Sequence, residues 1–537
     1  MNPLSGTTLP CKRNYLFLMA LVLSIAPMLT GCGNDNDNRG DFQERRQQQQ
    51  VDGQDAFRFE TFGNEGFWTD AARLPQGIAK SKLTPVQALK AGLSVNTDAL
   101  DGATLAAVAD ELKNKGTRGP ILNDPATTIK LINANAVIGV VVRDSNGDGT
   151  LDVTNGDKAG VSCVLCHAVT DGAALQVPNG GSIGKQVDGP AVHNIQIGKI
   201  FAMADNTRAL YPMAQIKGPD GKSTGLAPSA KGLTKTSSEA EFDAYFGNSK
   251  YYPVGSFDDT VDGIGNPMHN TPMFRQDLAA PFGSAGELET SEQFANTVFT
   301  VLLDPTNLLS PGGRAFLNKA AKASGDKLAS DYAEVLAATG VTNYPYIEVS
   351  STGEPGTLDH LIGIAVDNGI LQSMASYVEG LRAPPGVVKD AQAVARGREH
   401  FVGTEFGCTT CHNADNSQPV PQNVIDMKTI FPGDMPKVLA TRDAPAGPVS
   451  DTPKNTFDDK MIVINATLRG ANRGAALPLL MDLKRKPVFL HDNSVSSLFK
   501  LLNPARGSMA PHPFYVKDQG QRWDLVRYLE SLDDTTK

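Results

Sequence analysis

The sequence predicts a mainly α protein: two helical domains wrapped in long loops, preceded by an N-terminal mixed region. Three observations predict it. The pentapeptide Cys163-Val-Leu-Cys166-His167 recurs as Cys408-Thr-Thr-Cys411-His412. Helical periodicity or capping signals accompany both copies. Long Gly/Pro-rich stretches separate those helices, as at 180–190, 217–236 and 251–281.

Taken in order, the chain opens with Lys12 and Arg13 ahead of an apolar stretch at 15–30. That stretch is shorter than the roughly 20 residues a membrane-spanning helix needs, so 1–31 reads as a signal peptide. It ends Leu29-Thr30-Gly31-Cys32, which resembles the bacterial lipoprotein processing site. That resemblance implies Cys32 as a mature N-terminus carrying a diacylglyceryl thioether, and several acyl chains on one residue give stable anchoring. Gly at 33 rather than Asp implies the outer membrane, within the bacterial cell envelope, over the inner one. Residues 32–56 are polar and aperiodic, a tether.

The N-terminal region is expected over 57–155. Aromatics cluster from Phe57 to Trp68, short helices are expected at 85–93 and 97–115, and 129–142 is β-branched enough to include a strand. Next, Asp144, Asn146, Asp148, Thr150 and Asp152 place oxygen side chains at alternate positions with Gly149 sixth, the pattern of an EF-hand calcium loop. Asn155 stands where a bidentate Glu is expected, which weakens the site. Calcium is the expected ion, and a plain acidic turn is the alternative.

The first motif domain is expected over 156–386, with a capping box at Thr290 and Gln293 opening a helix at 294–303 and a second helix at 357–381. Pro384-Pro385 marks the boundary. The second domain, 387–537, has a helix at 389–402 stopped by Gly403 and a terminal helix at 519–532. Trp523, Val526, Leu529 and Leu532 share one face of that last helix.

Cys-x-x-Cys-His is the attachment signature of c-type haem. Both thiols add to the porphyrin vinyl groups, and the adjacent imidazole becomes the proximal iron ligand. A redox Cys-x-x-Cys or half a zinc site would leave both histidines unexplained, and no further cysteine pair completes a zinc cluster. Two covalently bound haem c groups are therefore expected, on Cys163, Cys166 and His167 and on Cys408, Cys411 and His412. A helix before the motif and another at the chain end is the usual frame of a small cytochrome c domain. Of 6 cysteines, Cys11 leaves with the signal peptide and Cys32 takes lipid, so the mature chain has no thiol left for a disulfide.

The formal charge of -9 becomes more negative once Lys12 and Arg13 are removed, which argues against nucleic acid as a partner. The expected partner is a redox protein or a small-molecule electron donor or acceptor, with the membrane reached through the lipid.

Several segments resemble the bacterial di-haem cytochrome c peroxidase superfamily, closest to its di-haem rubber-oxygenase-like branch. They are 61–68, 133–139, 181–189, 262–267, 303–305 with 311–314, and 489–495. The peroxidases place a distal His after Ser-Ile-Gly, where this chain has Lys185; His193 lies eight residues on. Lys185 ligates, His193 ligates, or the first iron is open, the last being what likeness to rubber oxygenases implies. For the second haem the peroxidase Met, fourteen residues beyond the position of His491, is replaced by Ala505. His512 is the expected sixth ligand and Met509 the alternative; prolines 511 and 513 stiffen that segment. The peroxidases also carry a bridging Trp between the motifs, whereas Trp68 and Trp523 lie outside that interval. Tyr245, Phe246, Tyr251 and Tyr252 are read as packing residues, and His269, His360 and His400 as loop or surface residues. The expected function is electron transfer by an exported, lipid-anchored di-haem cytochrome; the alternative is a peroxidase- or oxygenase-like oxidoreductase with catalysis at the first haem.

Overall fold

Short helices started by side-chain caps, and loops pinned by buried polar residues, account for most of the chain. The computed structural model describes residues 52–537 apart from 219–220, 223–231, 250, 259–260, 264, 266–267, 284–287, 321–324, 420–423, 427–473, 491–494, 508–511 and 513. The signal peptide, Cys32, most of the tether, His491 and Met509 lie outside the described residues. The architecture is mainly helical, and among the described residues the sheets have only two or three strands.

Order begins earlier than the sequence suggests. Asp52 accepts from the Gln54 amide at 2.8 Å and starts the Gly53–Phe59 helix. Ala56 and Phe57 of that helix are buried, so the expected tether gives way to structure at 52 rather than 56. A reciprocal box between Thr84 and Gln87 opens the Pro85–Lys90 helix. Asp101 caps Gly102–Lys115, which ends at Gly116 with φ 58, while Thr97–Ala99 is a separate 3-10 turn. Within 129–142 the chain finishes the Pro125–Asn133 helix before forming the strand Val140–Arg143.

That strand pairs antiparallel with Lys158–Val161, and the acidic loop joins the two. The expected boundary at 155/156 falls inside this connection, and one hydrophobic cluster draws residues from both sides of it, Val142 and Leu131 with Val161, Tyr211 and Tyr332. The 61–68 segment locks the second strand from its other side. Buried Asn64 mimics a strand partner: its Nδ2 donates to the Val161 carbonyl and its Oδ1 accepts from the Val161 amide, both at 2.8 Å.

Two expected helices are corrected. The 357–381 helix covers only Asn368–Gly380, started by Asp367 accepting from the Ile370 amide, because 357–367 supplies turns and the Ile364–Ala365 strand. The helix at Thr290 spans Ser291–Thr297 and passes into a π-helical turn, Val298–Leu302; Gln293 reaches back to the Glu289 amide rather than that of Thr290.

In the C-terminal part the Ala391–Val402 and Gln519–Glu530 helices pack face to face. Gly397 makes this possible, since a Cβ there would stand 2.0 Å from the Asp524 carbonyl oxygen. Arg396 forks onto the Asp524 carboxylate at 2.7 and 2.8 Å across the same contact. Val526, Leu529 and Leu532 are buried as expected, but Trp523 is 42% exposed. It lies on the outer face, stacked on Phe499 at 4.5 Å.

Candidate functional site

Each cysteine motif sits on its own hydrophobic cluster. Cys163 packs with Phe57, Phe62, Phe299, Ile370 and Met374. Cys408 packs with Phe401, Phe489, Leu525 and Tyr528. The four described cysteines are free of disulfides. Burial pushes the Cys163 and Cys166 thiols up to about 12 and Cys408 up to about 11. Their apolar surroundings favour the neutral form and suit thioethers.

The first motif forms a single helical turn, Val164–His167, after the Lys158–Val161 strand. Gly139 holds it from beneath with φ 83: its carbonyl accepts from the Ser162 amide at 3.1 Å, and a Cβ there would meet Leu165 Cα at 2.3 Å. The loop beyond the motif folds back on it, with the Gly189 amide donating to the His167 carbonyl at 2.8 Å and the Val192 amide to Cys166 at 3.0 Å. His167 Nδ1 lies 2.8 Å from the Thr271 carbonyl. A carbonyl can only accept, so Nδ1 carries the proton and Nε2 is left with its lone pair. Burial draws this imidazole down to about 4, which keeps it neutral, the form that binds a metal. The Met374 sulfur lies 3.6 Å from Cys163 Sγ.

The second motif begins at Gly407 (φ 64) as the 3-10 turn Cys408–Thr410, with the His412 amide donating to the Cys408 carbonyl at 2.9 Å. Buried Asn416 fastens the following loop by donating to the Leu480 and Asp533 carbonyls at 3.0 and 2.8 Å. Across from His412 stands His512. Their ring centroids are 6.3 Å apart with planes tilted 44°. Each ring carries a buried Nδ1 with no hydrogen-bond partner. Burial holds His412 down to about 4 and His512 down to about 3, the latter further depressed by His412 and Arg506.

These residues fit the group that the motifs imply. A metal held between two imidazoles by bonds of about 2 Å puts the ring centroids on the order of 6 Å apart. Two imidazoles whose buried Nδ1 atoms lack partners stand at 6.3 Å, a spacing that fits a shared metal and that direct ring packing also spans, so the fit rests on the motif that supplies His412 together with the partnerless nitrogens. At the first motif the fit rests on the oriented, neutral His167 and its two enclosed thiols.

The remaining candidates are placed as follows. Lys185 is exposed at the bend between the strands Ser182–Gly184 and Gln186–Asp188, its backbone tied to Asp171, so its side chain points to solvent. His193 is partly buried, its Nδ1 lacks a partner, and burial, then the charge of Lys486, pulls it down to about 3. No described ring contacts His167 as His512 faces His412. His360 bonds Ser351 Oγ at 3.0 Å, and His400 packs its edge on Phe406. In the acidic loop, Asp144 accepts from the amides of Gly147 and Gly149, and Asp148 accepts from the Thr150 amide and hydroxyl. Asp157, which the sequence pattern did not single out, accepts from the amides of Ser145 and Asp152 at 2.8 Å. Among the described residues no group of three or more His, Cys, Asp or Glu is arranged to hold a metal ion.

Trp68, remote from the motifs in sequence, joins the aromatic residues after the first motif in space. It stacks on Phe201 at 5.6 Å, which contacts Phe246 and Tyr252 edge-on. Sequence reasoning missed Thr271, Met374 and Lys486, whose roles arise only from long-range contacts. Among the described residues no helix is long and apolar enough to cross a membrane.

No protein family matches the chain, and no curated protein matches it. Among solved structures, hydrazine synthase from Kuenenia stuttgartiensis, pressurised with xenon, is similar at 15% identity over 50% of this chain and 73% of that one, with a TM-score of 0.24. A superposition of that quality carries no argument. The resemblance to the di-haem peroxidase superfamily therefore rests on its short sequence segments.

Proposed function

We propose that the chain is an exported, lipid-anchored di-haem c-type cytochrome acting in electron transfer. The observation that carries this reading is the buried His412–His512 pair, set at 6.3 Å behind the second Cys-x-x-Cys-His. Each haem would supply an iron that exchanges one electron without exchanging atoms with solvent. Cys163, Cys166, Cys408 and Cys411 would hold the two macrocycles, and His167 and His412 would be the proximal ligands. Thr271 keeps the His167 ring in one tautomer, and the Phe401–Tyr528 cluster gives the second site an apolar wall. The partner is a redox protein or a small electron donor or acceptor, and Cys32 is the site of the lipid.

A second reading has its own observation. Lys185 faces solvent, and the ring across from His412 has no described counterpart at His167. This favours a first haem with an accessible sixth position, and hence a peroxidase- or oxygenase-like oxidoreductase. Electron paramagnetic resonance of the resting ferric protein separates the two. Electron transfer alone predicts two low-spin signals; one high-spin signal supports catalysis at the first site; two high-spin signals contradict the role given to His512.

A further inference from the structure

We propose that Lys486, with His269 and His193, forms an anion pocket that receives a propionate carboxylate of the haem at the first motif. This rests on the di-haem reading above. Lys486 comes from the C-terminal domain, yet its Nζ lies 3.3 Å from His269 Nε2 in the first. It also stands over the Phe489 ring at 5.7 Å. Among the described residues no carboxylate lies within ion-pair distance of it, whereas neighbouring Lys484 and Arg485 pair with Glu530 and Asp482. An enclosed ammonium without counter-charge is costly, so such a group calls for an anion. Burial alone draws Lys486 down to about 8, and its charge is felt at His193.

The pocket is fixed to the first motif by backbone geometry. His269 closes the Met268–His269 strand, paired with Ser256–Phe257, two residues before the Thr271 carbonyl that orients His167. Asn270 between them donates its Nδ2 to the Val192 carbonyl at 3.2 Å, and the Val192 amide in turn bonds Cys166. His193 follows directly. His269, held against the first motif, thus meets one cation delivered by the other domain, and His193 is tied to the same motif through Val192. The macrocycle that Cys163, Cys166 and His167 would hold carries two carboxylates on the edge away from its thioethers, and one of them would reach this cation. The ammonium supplies their counter-charge, and the two imidazoles supply hydrogen-bond donors. A further consequence is that haem attachment at the first site ties the C-terminal domain to it.

Potentiometric titration of the holoprotein tests this. Removing a cation beside the haem favours the ferric state, so Lys486→Met lowers the reduction potential of the first haem and leaves that of the second in place. Lys486→Arg keeps the charge and the wild-type potential. Should Lys486→Met not fold, Lys486→Gln, which keeps a donor and removes only the charge, is measured in its place. An unmoved first potential in the neutral variant overturns the proposal, as does a Lys486→Arg shift equal to that of Lys486→Met. A wild-type chain without covalent haem would instead refute the di-haem reading.

Discussion

Replacing His512 by glycine removes one ring of the buried pair at small cost to the backbone. His512 sits at φ 54, where an L side chain costs about 1 kcal/mol and glycine costs almost nothing. His512→Gly therefore relieves strain while opening the space opposite His412, and it is a better probe than His512→Ala, which keeps the strain. On the di-haem reading, the 6.3 Å ring separation fits one metal between the two imidazoles, which would saturate the second iron. Carbon monoxide is titrated into the reduced protein and bound equivalents are read from the Soret band. The wild type binds at most one equivalent, at the first site, and His512→Gly binds one more. Two equivalents bound by the wild type, or no gain in the variant, would refute the assignment of His512.

Three further outcomes are expected. Asp188, whose side chain is 2% exposed, accepts from Arg58 and the Tyr377 hydroxyl at 2.7 Å each, so Asp188→Ala leaves Arg58 unpaired; urea denaturation should show a loss of about 3 kcal/mol, and a loss near zero would mean that the network is not structural. The Arg396 fork holds Asp524 below the usual carboxylate range, so the stability it adds is present above the unfolded value near pH ~4 and is lost as pH falls through the lower folded value; Asp524→Asn should flatten that part of an acid melting series, and an unchanged series contradicts it. Calcium should raise the melting temperature reversibly with chelator through the loop at Asp144, Asn146, Asp148, Thr150 and Asp152; an insensitive curve and no bound metal would leave an acidic turn held by Asp157.

The cysteine motifs and the helical stops were legible because each is a local pattern, as with Gly116 after Lys115 and Gly403 after Val402; the Asp101 cap is equally local, but the helix expected from 97 begins only behind it, at Gly102. The mainly helical class followed from the same signals. The long expected helix at 357–381 failed because apolar content alone does not separate a helix from turns packed on a core; the start depends on Asp367 capping, which is equally local but was masked by the apolar run. Trp523 leaves the buried face because each step of three residues drifts about 60° around a helix, which sets 523 opposite 532, and an Arg527–Trp523–Phe499 stack covers it at the surface. His512 was named from residue type and rigidity, but its spacing from His412 comes from packing across a hundred residues. Thr271, Lys486 and the joining of Trp68 to the first-motif aromatics had no sequence signal, since each depends on which loops fold back upon one another.

Counting covalent haem tests the central claim most directly, by intact mass and pyridine haemochrome on protein made in a host that matures c-type cytochromes. The wild type should carry two haems. Cys163→Ala/Cys166→Ala and Cys408→Ala/Cys411→Ala should each carry one, bound through the remaining motif. A wild type with no covalent haem, or a double variant that keeps both, would contradict the account.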